Sequence, residues 1–140
     1  MKKIVTKSSQ ETVKCGQNLA KKLKGGEVIG LIGELGSGKT TFVQGLAKGL
    51  GIKDRILSPT FTLMRSYQGG KLNLCHVDLY RLDKPAEFRN LGLEEIWLKH
   101  ENVVVIEWAE KAGEYLPKTT TFIHFKYKNE KLREISLNLK

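Results

Sequence analysis

The stretch "GLIGELGSGKTTFVQGLAKGL", Gly30 to Leu50, decides how the rest of the chain is read. Its residues 33–40, G-E-L-G-S-G-K-T, fit the pattern G-x-x-x-x-G-K-[ST]. The run Glu27-Val28-Ile29-Gly30-Leu31-Ile32 before it has the length and apolar character of a strand, and Phe42, Val43, Leu46, Ala47 and Leu50 after it recur at helical spacing. Strand, glycine-rich loop and helix in that order make a phosphate-binding loop. Gly33, Gly36 and Gly38 let the backbone turn and bring its N–H groups close to a ligand. Those donors and the positive end of the helix dipole converge on one point, which suits a polyphosphate. Lys39 adds a full charge beside the β- and γ-phosphates, and the Thr40 hydroxyl is placed as a Mg²⁺ ligand.

Working outward, Ser8-Ser9-Gln10-Glu11 reads as a helix start, Ser8 capping and Glu11 returning to it as the partner of a capping box. Val13, Leu19, Ala20 and Leu23 offer that helix an apolar face, and Gly25-Gly26 stops it. The helix after the loop ends near Gly49-Leu50-Gly51. Beyond Ser58-Pro59, residues 61–67 and 72–80 read as two strands of a hairpin around Gln68-Gly69-Gly70-Lys71. Residues 84–98 are short helical pieces around Gly92. Asn102-Val103-Val104-Val105-Ile106 is a strand of the doubly buried kind, followed by a short helix over 109–115 that Pro117 closes. A second hairpin, 120–127 and 132–139, finishes the chain. The expectation is one α/β domain over residues 1–140, a P-loop NTPase-like mixed β-sheet flanked by helices and extended by antiparallel hairpins.

Composition narrows the function classes. The 140 residues suffice for one core, and the 40% hydrophobic content is that of a globular protein. No apolar run approaches the ~20 residues that span a bilayer, and Met1 to Lys7 has charge with no long apolar stretch after it, so neither a membrane span nor a signal peptide is expected. Cys15 and Cys75 stand at no metal spacing and are expected to be free thiols in a reducing cytoplasm. A net charge of +9 favours anionic partners such as nucleotide, RNA or an acidic protein face. Yet the cations are scattered lysines with only five arginines, and there is no basic–aromatic repeat of the kind that grips single strands.

A phosphate loop also needs an acidic residue at the end of a buried strand to face Mg²⁺. Two positions offer one: Glu107 after Val103-Val104-Val105-Ile106, and Asp78 after Leu74-Cys75-His76-Val77. Both are assigned to the metal site, without ranking direct against water-bridged contact. Thr60, after Ser58-Pro59, sits where nucleotide switches place a γ-phosphate sensor, or is a plain turn residue. His76 orients water or serves as a structural hydrogen-bonder. Trp108 lies over the nucleotide or caps the core. Arg65, Arg81 and Arg89 are candidate charge stabilisers, none favoured by spacing.

With these residues in hand, nearly the whole chain resembles the TsaE (YjeE) family of small bacterial P-loop ATPases. The resemblance rests on Gly33-Glu34-Leu35-Gly36-Ser37-Gly38-Lys39-Thr40-Thr41, Ser58-Pro59-Thr60-Phe61-Thr62-Leu63, His76-Val77-Asp78-Leu79-Tyr80-Arg81-Leu82 and Val105-Ile106-Glu107-Trp108-Ala109-Glu110. It implies a mixed sheet with flanking helices. It implies slow ATP hydrolysis alone, and action with TsaD and TsaB, which place threonylcarbamoyl on adenosine 37 of tRNAs reading codons that begin with A. In that scheme the ATPase resets the complex, and contact with tRNA is through that complex. By position, the resemblance implies that Lys39, Thr60, Asp78 and Glu107 are catalytic and that Thr40, Asp78 and Glu107 hold Mg²⁺. It implies that ATP is bound by Glu34, Leu35, Gly36, Ser37, Gly38, Lys39, Thr40, Thr41 and Trp108, with Ser9, Glu11 and Thr12 near the adenine. The chain departs from the family pattern at Glu34, where aspartate is more usual, and at Ala109, where proline is common. Two other classes stay open on the residues alone: a small phosphotransferase, and a non-enzymatic switch whose docking ATP controls.

Overall fold

The computed structural model describes residues 2–59 and 63–137. Among them are seven strands in one sheet: β1 (Lys2–Thr6), β2 (Val28–Gly33), β3 (Met64–Tyr67), β4 (Asn73–Asp78), β5 (Asn102–Glu107), β6 (Thr121–Tyr127) and β7 (Arg133–Leu137). Their order is β1-β7-β6-β2-β5-β4-β3. The central four, β6-β2-β5-β4, run parallel, with Val28 opposite Val104, Ile29 opposite Thr121 and Asp78 opposite Glu107. Antiparallel hairpins flank them, β3 on β4 at one side and β7 on β6 at the other. The mixed sheet with added hairpins is the architecture expected from the sequence.

Two helices cover one face. α1 (Ser9–Ala20) begins as its residues predict: Ser8 Oγ accepts from the Glu11 N–H at 3.1 Å, a cap worth about 1 kcal/mol. The Glu11 carboxylate reaches back to the Lys7 N–H at 3.0 Å, one residue before the cap. α2 (Lys39–Gly49) follows the loop and buries Phe42, Val43 and Leu46 completely, each side chain contributing roughly 1.5–3 kcal/mol relative to exposure. The two helices approach so closely that glycine is required at the crossing. A Cβ on Gly45 would stand 1.9 Å from the Val13 carbonyl oxygen, and one on Gly16 would stand 2.3 Å from that of Phe42. Cys15, Leu19, Leu31, Val103 and Val105 complete this layer.

On the opposite face, a 3₁₀ segment (Pro85–Leu91), α3 (Leu93–Trp97) and a second 3₁₀ segment (Ala109–Tyr115) cover β2, β5 and β4. Phe88, Leu93, Ala109 and Ala112 pack there on Val77, Val104 and Ile106. Alternate residues of β5 therefore enter different layers, which is why its apolar run is continuous rather than alternating. Both cysteines are buried free thiols, and burial pushes Cys75 up to about 11.

The structure differs from the sequence reading at several edges. β1 is an added strand, paired with β7 from Lys2 opposite Leu137 to Thr6 opposite Arg133. Its lysines face solvent on an outer strand, so it lacks the apolar alternation that marks a half-buried strand. α1 ends at Ala20, and its buried face includes Thr12 and Cys15. Of the strand read over residues 61–67, residues 61 and 62 lie outside the described residues, Leu63 has φ 66°, and β3 runs over Met64–Tyr67.

Candidate functional site

β2, β4 and β5 all end at one edge of the sheet, at Gly33, Asp78 and Glu107. In open α/β sheets the crevice beyond the carboxyl ends of the strands is where ligands lie. Here the crevice is a cleft of about 530 Å³, walled by the loop, the start of α1, the acids of β4 and β5, and the β6–β7 turn.

The loop is shaped by its glycines. Gly36 and Gly38 have φ 78° and 104°, values that side chains with a Cβ rarely adopt. Gly33 passes so close to β6 and Ser37 that a Cβ would meet the Phe125 carbonyl oxygen at 2.7 Å. Gly38 is the N-cap of α2 and gives no side-chain cap, so the first N–H groups of the helix are presented to the cleft. Ser37 Oγ is buried without a hydrogen-bond partner among the described residues. Lys39 is only 5% exposed. Its ammonium donates to the Gly33 carbonyl and lies 3.5 Å from the centroid of the Trp108 ring. Burial pushes its pKa down, and Glu107, Glu110 and Asp78 oppose that shift. A buried cation beside the N-terminal turn of a helix that has no side-chain cap suits an anion.

Beneath the lysine lie the acids. Thr40 Oγ1 donates to Glu107 Oε1 at 3.0 Å and Oε2 at 3.2 Å. Glu107 is 2% exposed, and His76 Nε2 stands 2.5 Å from its Oε2. Asp78 accepts from Ser58 Oγ at 3.2 Å and from the Tyr80 N–H at 2.9 Å. Directly after Glu107 the chain turns through Trp108 in the left-handed region, φ 58° and ψ 41°. This turn swings the indole toward Lys39, with the Tyr80 ring 5.2 Å away.

The residues assigned from sequence thus divide. Lys39, Thr40, Asp78, Glu107 and Trp108 converge on the cleft, and Leu35, Gly36, Gly38 and Thr41 line it, as do Ser9 and Thr12. Ser37 belongs to the loop behind them. Glu34 is an exposed residue of the loop. Glu11 does not reach the cleft: it faces the groove between α1 and β1, its carboxylate engaged by Lys7. Thr60 lies outside the described residues, as do Phe61 and Thr62. Ala109, where the family pattern favours proline, is fully buried.

Sequence reasoning missed Arg133. Its Nε donates to the Gly36 carbonyl at 3.2 Å, and Nη1 to those of Asn129 and Leu132. Nothing local announces this, because the contact joins the loop to a hairpin 97 residues away. Tyr80, in the turn just past β4, lines the cleft as well, its N–H donating to the Asp78 carboxylate. Arg89, by contrast, lies over Tyr115 at 5.7 Å, away from the cleft, and Arg65 is exposed on β3.

A mixed sheet whose central parallel strands end in a G-x-x-x-x-G-K-T loop and two buried acids defines a P-loop nucleotide-binding protein. The family model "Threonylcarbamoyl adenosine biosynthesis protein TsaE" matches residues 6–135, and the chain belongs to that family, which serves tRNA modification. A TsaE of Nostoc sp. is 43% identical over 98% of this chain and 85% of the relative. One of Treponema pallidum is 41% identical over 95% of this chain and 97% of the relative. A crystal structure of Bacillus subtilis YdiB superposes with a TM-score of 0.82 at 38% identity, covering 97% of this chain and 83% of that one. No helix among the described residues is long and apolar enough to cross a membrane.

Proposed function

We propose that this chain binds Mg-ATP in the cleft and hydrolyses it slowly when alone. We propose further that it acts with TsaD and TsaB in forming threonylcarbamoyladenosine at position 37 of tRNAs that read codons beginning with A, hydrolysis resetting that complex. The observation that carries the reading is the convergence of Lys39, Thr40 and Glu107 at the mouth of the loop.

The donor set fits Mg²⁺. Hydroxyl and carboxylate oxygens are the hard ligands this ion takes, and Mg²⁺ ordinarily draws only one or two carboxylates from protein, completing its shell with phosphate and water. Among the described residues no group of three or more His, Cys, Asp or Glu is gathered to cage a metal by itself, in keeping with an ion brought in by the nucleotide. Thr40 and Glu107 would hold it, with Asp78 beside them. Bound there, Mg²⁺ would neutralise charge on the β- and γ-phosphates.

This chain's own groups do the rest. The loop N–H groups and Lys39 orient the phosphate chain and carry its negative charge. Trp108 and Tyr80 form an aromatic wall at the cleft. Thr60 is assigned to sensing the γ-phosphate. Arg133, the arginine that lines the cleft among the described residues, is held by three carbonyls of the loop and hairpin rather than turned to the transferred phosphoryl group. In P-loop systems an arginine supplied in trans raises turnover ~10³–10⁵-fold, so slow basal turnover and stimulation by a docked partner follow together.

The test is ATP hydrolysis by the protein alone and with its matching TsaD–TsaB pair, wild type beside Lys39→Ala. Slow turnover, clear stimulation by the pair and loss of both in the variant support the proposal. Brisk turnover indifferent to the pair would overturn the partner-completed site. Phosphate delivered to a small acceptor would replace hydrolysis by phosphotransfer.

A further inference from the structure

We propose that His76 is a positioning residue, which donates from Nε2 to Glu107 and so fixes the carboxylate in the orientation from which Thr40 and Glu107 hold Mg²⁺. This inference rests on the Mg²⁺ site proposed above and adds a residue to it.

The geometry is specific. His76 lies in the middle of β4, opposite Val105, and is 0% exposed. Two residues on, Asp78 stands opposite Glu107, so the imidazole sits one step behind the acids on the same face of the sheet. Nε2 is 2.5 Å from Glu107 Oε2. Carboxylate oxygens accept, so the tautomer that carries its hydrogen on Nε2 is the one that donates to Glu107 across this contact. Nδ1 is buried with no partner among the described residues. The neutral tautomer with its hydrogen on Nε2 leaves only a lone pair unmatched there, whereas a hydrogen on Nδ1 would be an orphaned donor.

That half-satisfied ring is informative. A site needing only bulk between β4 and α2 is filled at no polar cost by Leu or Phe, and buried polar atoms without partners are uncommon. The nitrogen that is satisfied points at the carboxylate the metal needs. Glu107 is itself almost fully buried, and the side-chain donors placed on it are the Thr40 hydroxyl and His76. Thr40 keeps lone pairs for a cation while its hydrogen goes to Glu107. Thr40 alone contributes one hydrogen shared between the two carboxylate oxygens, which leaves Oε2 without a donor of its own. Two donors from different elements, α2 and β4, hold its plane. Groups that orient metal ligands from behind typically govern metal affinity by about 10–100-fold.

The experiment separates the nucleotide from the metal. Binding of ADP and of a non-hydrolysable ATP analogue is followed by calorimetry in EDTA, and Mg²⁺ or Mn²⁺ is then titrated at fixed nucleotide. The proteins are wild type, His76→Leu, His76→Gln and Glu107→Gln, with melting temperatures measured alongside. We expect His76→Leu to keep its metal-free nucleotide affinity while the metal concentration for half-saturation rises about 10–100-fold. We expect His76→Gln, whose amide nitrogen can stand near the Nε2 position, to recover most of the loss. Wild-type metal response in His76→Leu, with a weakened one in Glu107→Gln, would overturn the role of His76 alone. No change in either variant would overturn the Mg²⁺ site itself. If metal-free affinity and melting temperature fall together in His76→Leu and Gln rescues neither, His76 is a packing residue and the proposal fails.

Discussion

Thr40 and Glu107 are 67 residues apart in sequence and joined by one hydroxyl, which donates to both carboxylate oxygens at 3.0 and 3.2 Å. The bond ties the first turn of α2 to the last residue of β5, so the phosphate loop and the acid beneath it form one rigid unit. Hydrogen bonds to charged groups contribute about 1.5–3 kcal/mol. Thr40→Val should therefore lower the stability of the nucleotide-free protein by about 1–3 kcal/mol in urea unfolding, and Thr40→Ser should restore it. A neutral result for Thr40→Val would mean the contact is not made in solution.

Lys39 is a buried cation that waits for its anion. Its folded pKa is lowered by burial, so the unfolded chain holds the proton more tightly. Stability from this group therefore rises with pH between the lowered folded value and the ordinary 10.5. Lys39→Met removes the penalty. The nucleotide-free variant should melt above wild type at pH 8, and the gap should narrow toward pH 10. The same change should weaken nucleotide binding by about 10–100-fold, the worth of a charge-assisted contact. Parallel melting curves across this pH range would show that the lysine is solvated, not buried.

The loop and its two flanking elements were legible because a local pattern imposes them: the glycines, Lys39 and Thr40 are contiguous, and the helical period begins two residues later. The strand-end acids were legible because β5 is buried on both faces, which writes an uninterrupted apolar run before Glu107. What was not legible is non-local. β1 is held by backbone pairing with β7 at the other end of the chain, and two of its five residues are lysines. Arg133 reaches Gly36 only because β7 folds back beside β6. Glu11 stands apart from the cleft for the converse reason: its helix start borders the cleft, but its carboxylate accepts from the Lys7 N–H and faces the groove between α1 and β1. His76 was half readable, its hydrogen-bonding role evident and its partner not.

The α1–α2 crossing makes a sharper stability test than any apolar truncation. A Cβ on Gly45 would have to pass 1.9 Å from the Val13 carbonyl oxygen, where backbone on both sides resists movement. Gly45→Ala should cost about 1–3 kcal/mol or more, the range for forced overpacking, although alanine favours helix by about 1 kcal/mol. Because α2 carries Lys39 and Thr40, the displaced helix should also bind nucleotide more weakly. Gly36→Ala is the control: a Cβ there meets nothing within 4 Å, so any loss comes from its φ of 78° alone.

Trp108 provides a test of the turn that aims it. A residue with a Cβ held in the left-handed region costs about 1–3 kcal/mol, and here φ is 58°. The strain buys the placement of the indole against Lys39. Trp108→Ala and Trp108→Gly both delete the ring, but only glycine occupies this conformation freely. The glycine variant should therefore be the more stable of the two by about 1 kcal/mol, the reverse of their order in a helix. Trp97, stacked on Phe88, can be replaced by Phe to leave Trp108 as the sole indole. In that background nucleotide should change the emission, because the group 3.5 Å from the ring is the lysine that phosphate would engage. An alanine variant as stable as glycine would remove the left-handed turn, and a silent indole would remove Trp108 from the nucleotide's surroundings.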